Sequence, residues 1–142
     1  MTEVIGRFTP QTFALLRIVS GLMFMMHGTQ KIFGWPGEKM AGLPPMMQFA
    51  GWLEVVGGFL ILIGLFTGIV AFLCSGEMAV AYWMGHVARS HELNPLVNKG
   101  ELAALYCFVF LFIAAHGAGI WSVDGILRKR SPVTASTGAA RV

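Results

Sequence analysis

An all-α fold, an antiparallel four-helix bundle integral to a membrane, is what this sequence predicts. Hydrophobic residues fill 56% of its 142 positions and charged ones only 12%, against about 25% charged in an ordinary soluble domain. The apolar residues fall into four stretches of about 20 residues, the length an α-helix needs to cross the hydrocarbon core of a bilayer. Turns rich in glycine and proline separate them, so four spans use nearly all of the chain and leave no room for a soluble catalytic domain.

The first helix is announced by Thr9-Pro10, with Thr9 as cap and Pro10 as first helical residue. It is predicted over 11–33 and carries three ionisable side chains, Arg17, His27 and Lys31. A charge near mid-membrane costs a few kcal/mol or more unless it turns inward to a partner. At about 100° per residue, Gly21, Phe24 and Gly28 lie close to Arg17 around the helix, with Lys31 and His27 to one side. This polar, glycine-lined stripe is therefore expected to face protein or a watery cavity and to organise the bundle. The run from Ser20 to Met26 continues straight into His27 and Lys31 without a small-residue cleavage site, so the segment is expected to stay in place. Gly34-Trp35-Pro36-Gly37 breaks the helix, and Trp35 suits an interfacial anchor.

The second span, 46–66, holds one acid, Glu54, between Gly51 and Gly58, and glycines beside an acid let a neighbouring backbone come close. The short uncharged stretch 64–68 predicts a tight hairpin into the third span, 69–89. That span has Glu77 in its middle and Tyr82, Trp83 and His86 towards its end. A polar loop over 90–98 leads to the fourth span, 99–121, with Glu101 at its start and His116 near its end. Residues 128–142 begin with Arg128-Lys129-Arg130 and continue in Ser, Thr, Pro, Gly and Ala without periodicity, a basic tail expected to be disordered. That cluster, with Arg7 and Arg141 against Lys31, Lys39, Arg89 and Lys99, tips the positive-inside balance towards both termini in the cytoplasm. A net charge of +3 concentrated there suits an anionic membrane surface, and no nucleic-acid partner is expected.

Counting inward from the span ends at about 1.5 Å per residue sorts the polar residues into two layers. Arg17 and Glu77 lie roughly 9 and 12 Å from one face, which predicts a structural ion pair. In the other half His27 and Glu54 share a level, with Lys31 and Glu101 nearer the surface. These four residues define a candidate polar cavity between spans one, two and four. There a polar head could be bound while Phe24, Met25, Trp52 or Phe108 hold a lipophilic ring or tail. The alternative for both layers is acid–base glue that fixes helix register without a ligand. No metal site is expected, because a lone His27 and a lone His116 on different spans lack any ligand frame. Cys74 and Cys107 form no C-x-x-C pair and sit at different depths, so they read as small hydrophobes that do not bridge.

Several of these residues recur as motifs: Arg17-x-x-x-Gly21, His27-Gly28-x-x-Lys31-x-Phe33-Gly34, Glu54-x-x-Gly57-Gly58 followed by Leu62-Ile63-Gly64-Leu65-x-Thr67, Gly100-Glu101-Leu102-Ala103, and Gly117-Ala118-Gly119-x-x-Ser122-x-Asp124. In this order the chain resembles the DoxX family of four-span membrane proteins, from about Leu15 to Asp124. Gly68 departs from the pattern, since many members carry a basic residue after the threonine. The family is named for a subunit associated with thiosulfate:quinone oxidoreductase. The resemblance thus implies a quinone-linked component of a membrane oxidoreductase system, with quinone as cofactor and His27 or Glu54 as proton acceptor. The chain has no haem ligand pair, flavin fingerprint or redox cysteine pair, so the electron donor is expected to be a protein partner or a substrate. A non-catalytic membrane anchor or assembly subunit, and a carrier of a small lipophilic molecule, stay open beside it, as does homo-oligomerisation.

Overall fold

A computed structural model describes residues 5–38 and 42–130, and these are helical apart from short connections. Three long helices, α1 (Thr9–Phe33), α2 (Pro45–Ile63) and α3 (Thr67–Ser90), are long and apolar enough to cross a membrane. A single turn, α4 (Pro95–Asn98), precedes α5 (Glu101–His116), which is apolar but only 16 residues long. The amphipathic α6 (Val123–Arg130) ends the described chain. Helix therefore reaches Arg130, three residues into the segment expected to be disordered, and the rest of that segment lies outside the described residues.

Each end has a local cause. Pro10 and Pro45 occupy first-turn positions, where a missing N–H costs nothing. Gly34 and Gly64 close α1 and α2 in the left-handed conformation, at φ 79° and 71°. After Gly64, Phe66 is also left-handed, so only three residues separate α2 from α3 and the two helices form the predicted tight hairpin. Residues 81–87 of α3 widen into a π-helical turn. The fourth helix stops at His116 rather than running to 121. Gly117, Gly119 and Trp121 all take positive φ, and the chain folds back across the end of the bundle.

The helices pack as two pairs, α1 on α2 and α3 on α5. Between α1 and α2 the contact is backbone against backbone. A Cβ added at Gly58 would lie 2.6 Å from the Met25 nitrogen, and one at Gly28 would lie 2.6 Å from the Gly51 oxygen. In a bilayer, where lipid is as apolar as leucine, close approach of this kind is the main source of helix attraction. Ala71, Cys74 and Ser75 of α3 meet α5, and the Ser75 hydroxyl donates to the Cys107 carbonyl at 2.8 Å. Phe24 joins the pairs through Tyr106 and Phe110. Cys74 and Cys107 are both free thiols.

Candidate functional site: a buried lysine–carboxylate cluster and its cavity

Arg17 is fully buried, yet its partner is not a carboxylate. One guanidinium nitrogen donates to the carbonyls of Ile61 and Leu62, each at 2.6 Å, and the other to Trp121 at 2.7 Å and Ile120 at 3.4 Å. A planar fork suits this task, since it reaches two chain segments at once. At the end of α2 the Ile61 carbonyl also accepts from the Gly64 N–H, whereas for the Leu62 carbonyl the guanidinium is the donor among the described residues. The ion pair expected between Arg17 and Glu77 is thus not formed. Arg17 binds level with the α2–α3 turn, whereas Glu77 is ten residues into α3, about 15 Å further along the axis. The depth count failed because it followed Cα positions, whereas the long Arg17 side chain is bound at the end of α2 and at residues 120–121.

Beside this socket Asp124 performs a second closure. Its carboxylate accepts from the backbone N–H groups of Phe66 and Thr67 and from the Thr67 hydroxyl, each at 2.9 Å, capping α3 from a distant part of the chain. Its own N–H donates to the Gly64 carbonyl. Partial burial pushes the Asp124 carboxyl up, but the two N–H groups, the hydroxyl and the charge of Arg128 outweigh it and hold the group below its ordinary 3.8.

The second polar layer lies deeper. Lys31, one turn beyond Gly28, donates to Glu54 of α2, and this is the one ion pair among the described residues. Close glycine packing of the two helices makes that reach short. Glu54 is 2% exposed, and its other oxygen accepts nothing among the described residues. Glu77 lies within Coulomb range of both Glu54 and Lys31, and Tyr106 of α5 within range of Glu54. Both Glu77 oxygens and the Tyr106 hydroxyl are buried without a hydrogen-bond partner there. Each of the three long helices thus gives one group, Lys31, Glu54 and Glu77, and α5 gives Tyr106.

A cavity of about 830 Å³ opens beside this cluster between the first half of α2 and the second half of α3. Lys31 and Glu77 give it polar points, and Met46, Met47, Met78, Met84, Phe49 and Leu53 give it flexible apolar walls. Its outer end is lined by His86 and Arg89, where the π-helical turn widens α3. Gly76 also lines it and has nothing within 4 Å of where a Cβ would stand.

Of the four residues expected to form a cavity, Lys31 and Glu54 are joined. His27 packs edge-on against Tyr106 at 6.2 Å between ring centres and is not among the cavity-lining residues. Glu101 is exposed in the first turn of α5, without an ion pair among the described residues. The opening lies between spans two and three rather than one, two and four. Glu77 and Tyr106 complete the cluster, and sequence reasoning had spent Glu77 on Arg17 and left Tyr106 aside.

An all-helical, multi-pass membrane protein with an arginine socket at one end and a buried lysine–carboxylate cluster further in is the class that these features define. The chain belongs to the DoxX family, whose profile matches residues 12–87. It is 42% identical over 129 residues to an uncharacterised protein of Haemophilus influenzae, covering 87% of this chain and 96% of that one. It is 29% identical over 119 residues to the inner membrane protein YqjF of Escherichia coli, covering 80% of this chain and 90% of YqjF. It is 27% identical over 120 residues to CatD of Bacillus subtilis, provisionally named an oxidoreductase, covering 81% and 86%. No solved structure gives a significant match.

Proposed function

We propose that the protein is a quinone-linked component of a membrane oxidoreductase system, with the head group held at Glu77 and Lys31. The observation that carries this reading is a carboxylate with both oxygens buried and unpartnered in the wall of a largely apolar cavity. Buried polar groups ordinarily find partners, so an orphaned pair of oxygens on a residue that lines a space of this size favours a ligand with a polar head. The provisional naming of CatD as an oxidoreductase agrees with it.

A bound quinone would supply the electron chemistry that the chain's own side chains lack. The residues then act on protons and position. Glu77 can hold a proton at either oxygen and offer it into the cavity. Lys31, fixed by Glu54, keeps a positive charge beside the same space. The methionine and phenylalanine walls exclude water from the polar points, and His86 and Arg89 lie on the way to the outer surface. The electron donor is a protein partner in this reading. On the same reading the end of the bundle that bears Arg7, Arg128 and Lys129 faces the cytoplasm, which the positive-inside rule favours.

Binding of decylubiquinone to the full chain in lipid nanodiscs, followed by quenching of tryptophan fluorescence, tests the proposal. Gly76→Leu fills the cavity from a position with free space, and Glu77→Gln removes the charge. Each is expected to weaken binding at least about tenfold, the loss of roughly one good contact, while His91→Ala on the exposed loop leaves it unchanged. Undiminished binding in both cavity variants would favour a non-catalytic anchor.

A further inference from the structure

The loop 117–122 turns its carbonyls inward to Arg17 and so turns two large side chains outward. Ile120 and Trp121 are exposed, followed on α6 by exposed Ile126 and Leu127. Between this strip and the end of α2 runs a groove of about 580 Å³, lined by Ile63, Ile120, Trp121, Val123 and Ile126, with Lys129 among its lining residues. Arg128, the sequence neighbour of Lys129, is exposed, and Arg7 precedes α1 at the same end of the bundle. The groove walls are apolar, and Lys129 is the charged side chain among the lining residues; Asp124 of the same helix is engaged in capping α3.

We propose that this groove binds one anionic phospholipid, the phosphate at Lys129 and Arg128 and an acyl chain along Ile63 and Ile126. Charge complementarity decides among the occupants. Residues 131–142 contain an arginine and no aspartate or glutamate, so they offer the groove no acidic side chain. A second copy would bring another basic α6 against this one. A phospholipid brings both the negative head and the apolar tail, at the depth where a tryptophan such as Trp121 settles in a membrane. The inner wall of the groove is the loop that holds Arg17, so a seated lipid also braces the arginine socket.

The test uses the full chain in nanodiscs of phosphatidylcholine and phosphatidylglycerol, three to one. Native mass spectrometry is expected to find phosphatidylglycerol retained over phosphatidylcholine about tenfold, as two nearby cations allow. Arg128→Gln with Lys129→Gln should abolish that preference, while Lys99→Gln at the other end should not. Ile126→benzoylphenylalanine, irradiated in the same discs, should gain the mass of a phospholipid. Equal retention of the two lipids, a preference untouched by the double variant, or a crosslink from position 126 to residues 131–142 or to a second copy would each overturn the proposal.

Discussion

Arg17→Met isolates what the arginine socket contributes. The substitution keeps most of the side-chain volume and removes every donor. The Ile61 carbonyl keeps the Gly64 N–H, but Leu62 and Trp121 lose the only donors to their carbonyls among the described residues. A buried acceptor left without a partner costs about 1–3 kcal/mol, so two of them cost about 2–6 kcal/mol. Arg17→Lys keeps the charge but concentrates its donors at one point, which serves α2 or the 120–121 segment and not both. About half the loss, roughly 1–3 kcal/mol, is expected there. The assay is unfolding of the purified protein in mixed detergent micelles, for Arg17→Met, Glu77→Leu and the pair together. Because the guanidinium binds carbonyls and Glu77 is about 15 Å along the axis, the two effects should add to within about 0.5 kcal/mol. A coupling of about 3–5 kcal/mol, the mark of a broken buried ion pair, would refute the socket.

Gly58→Ala, whose new methyl would meet the backbone of Met25 and Gly21, should destabilise by about 1–3 kcal/mol or prevent pairing of α1 with α2. Gly76→Ala, with open space around it, should change stability by less than about 0.5 kcal/mol in the same unfolding assay. Lys31→Met should cost about 3–5 kcal/mol by leaving Glu54 buried and unpaired, and adding Glu54→Gln should recover much of it; no recovery in the double variant would show the pair to be incidental. Asp124→Asn should cost about 1 kcal/mol at pH 7, because it replaces one of the two accepting oxygens with an amide nitrogen and leaves a backbone N–H of Phe66 or Thr67 without its acceptor. The Asp124 carboxyl is held below its ordinary 3.8 in the folded protein, so its contribution is complete above that value and is lost as pH falls through the lower folded value. The gap between wild type and Asp124→Asn should therefore close in acid below about pH 4, and a gap that widens there would contradict the cap.

Composition and turn residues made the architecture legible: the start at Pro10, the stop at Gly34 and the hairpin between spans two and three all follow from local chemistry, although the span predicted over 46–66 begins at Pro45 and stops at Ile63, before Gly64. Helical periodicity also placed Gly28 and Lys31 on the stripe that meets α2, and the glycines around Glu54 foretold the close approach that joins Lys31 to it. What escaped was whatever depended on backbone atoms or on rotation between helices. The acceptors of Arg17 are carbonyls, which every residue has, so no sequence pattern singles them out. The stop at His116 was hidden because Ala118, Ile120 and Trp121 look as apolar as the helix before them. Spacing fixes how far along a helix a residue lies but not which neighbour it turns to, so Glu77 was assigned to the wrong layer. Tyr106, one of the chain's two tyrosines, reads in sequence as one more aromatic among the phenylalanines of its span.

The arginine socket also sets a timetable for biogenesis. The Trp121 carbonyl is 104 positions downstream of Arg17, and translation at about 5–20 residues per second separates the two by roughly 5–20 s. Through that interval α1 and α2 can be inserted and paired while the guanidinium has only the carbonyls of residues 61 and 62. The last acceptors emerge together with Asp124, which then caps α3. A nascent chain halted before Ile120 leaves the Arg17 guanidinium without its acceptors in the 120–121 segment.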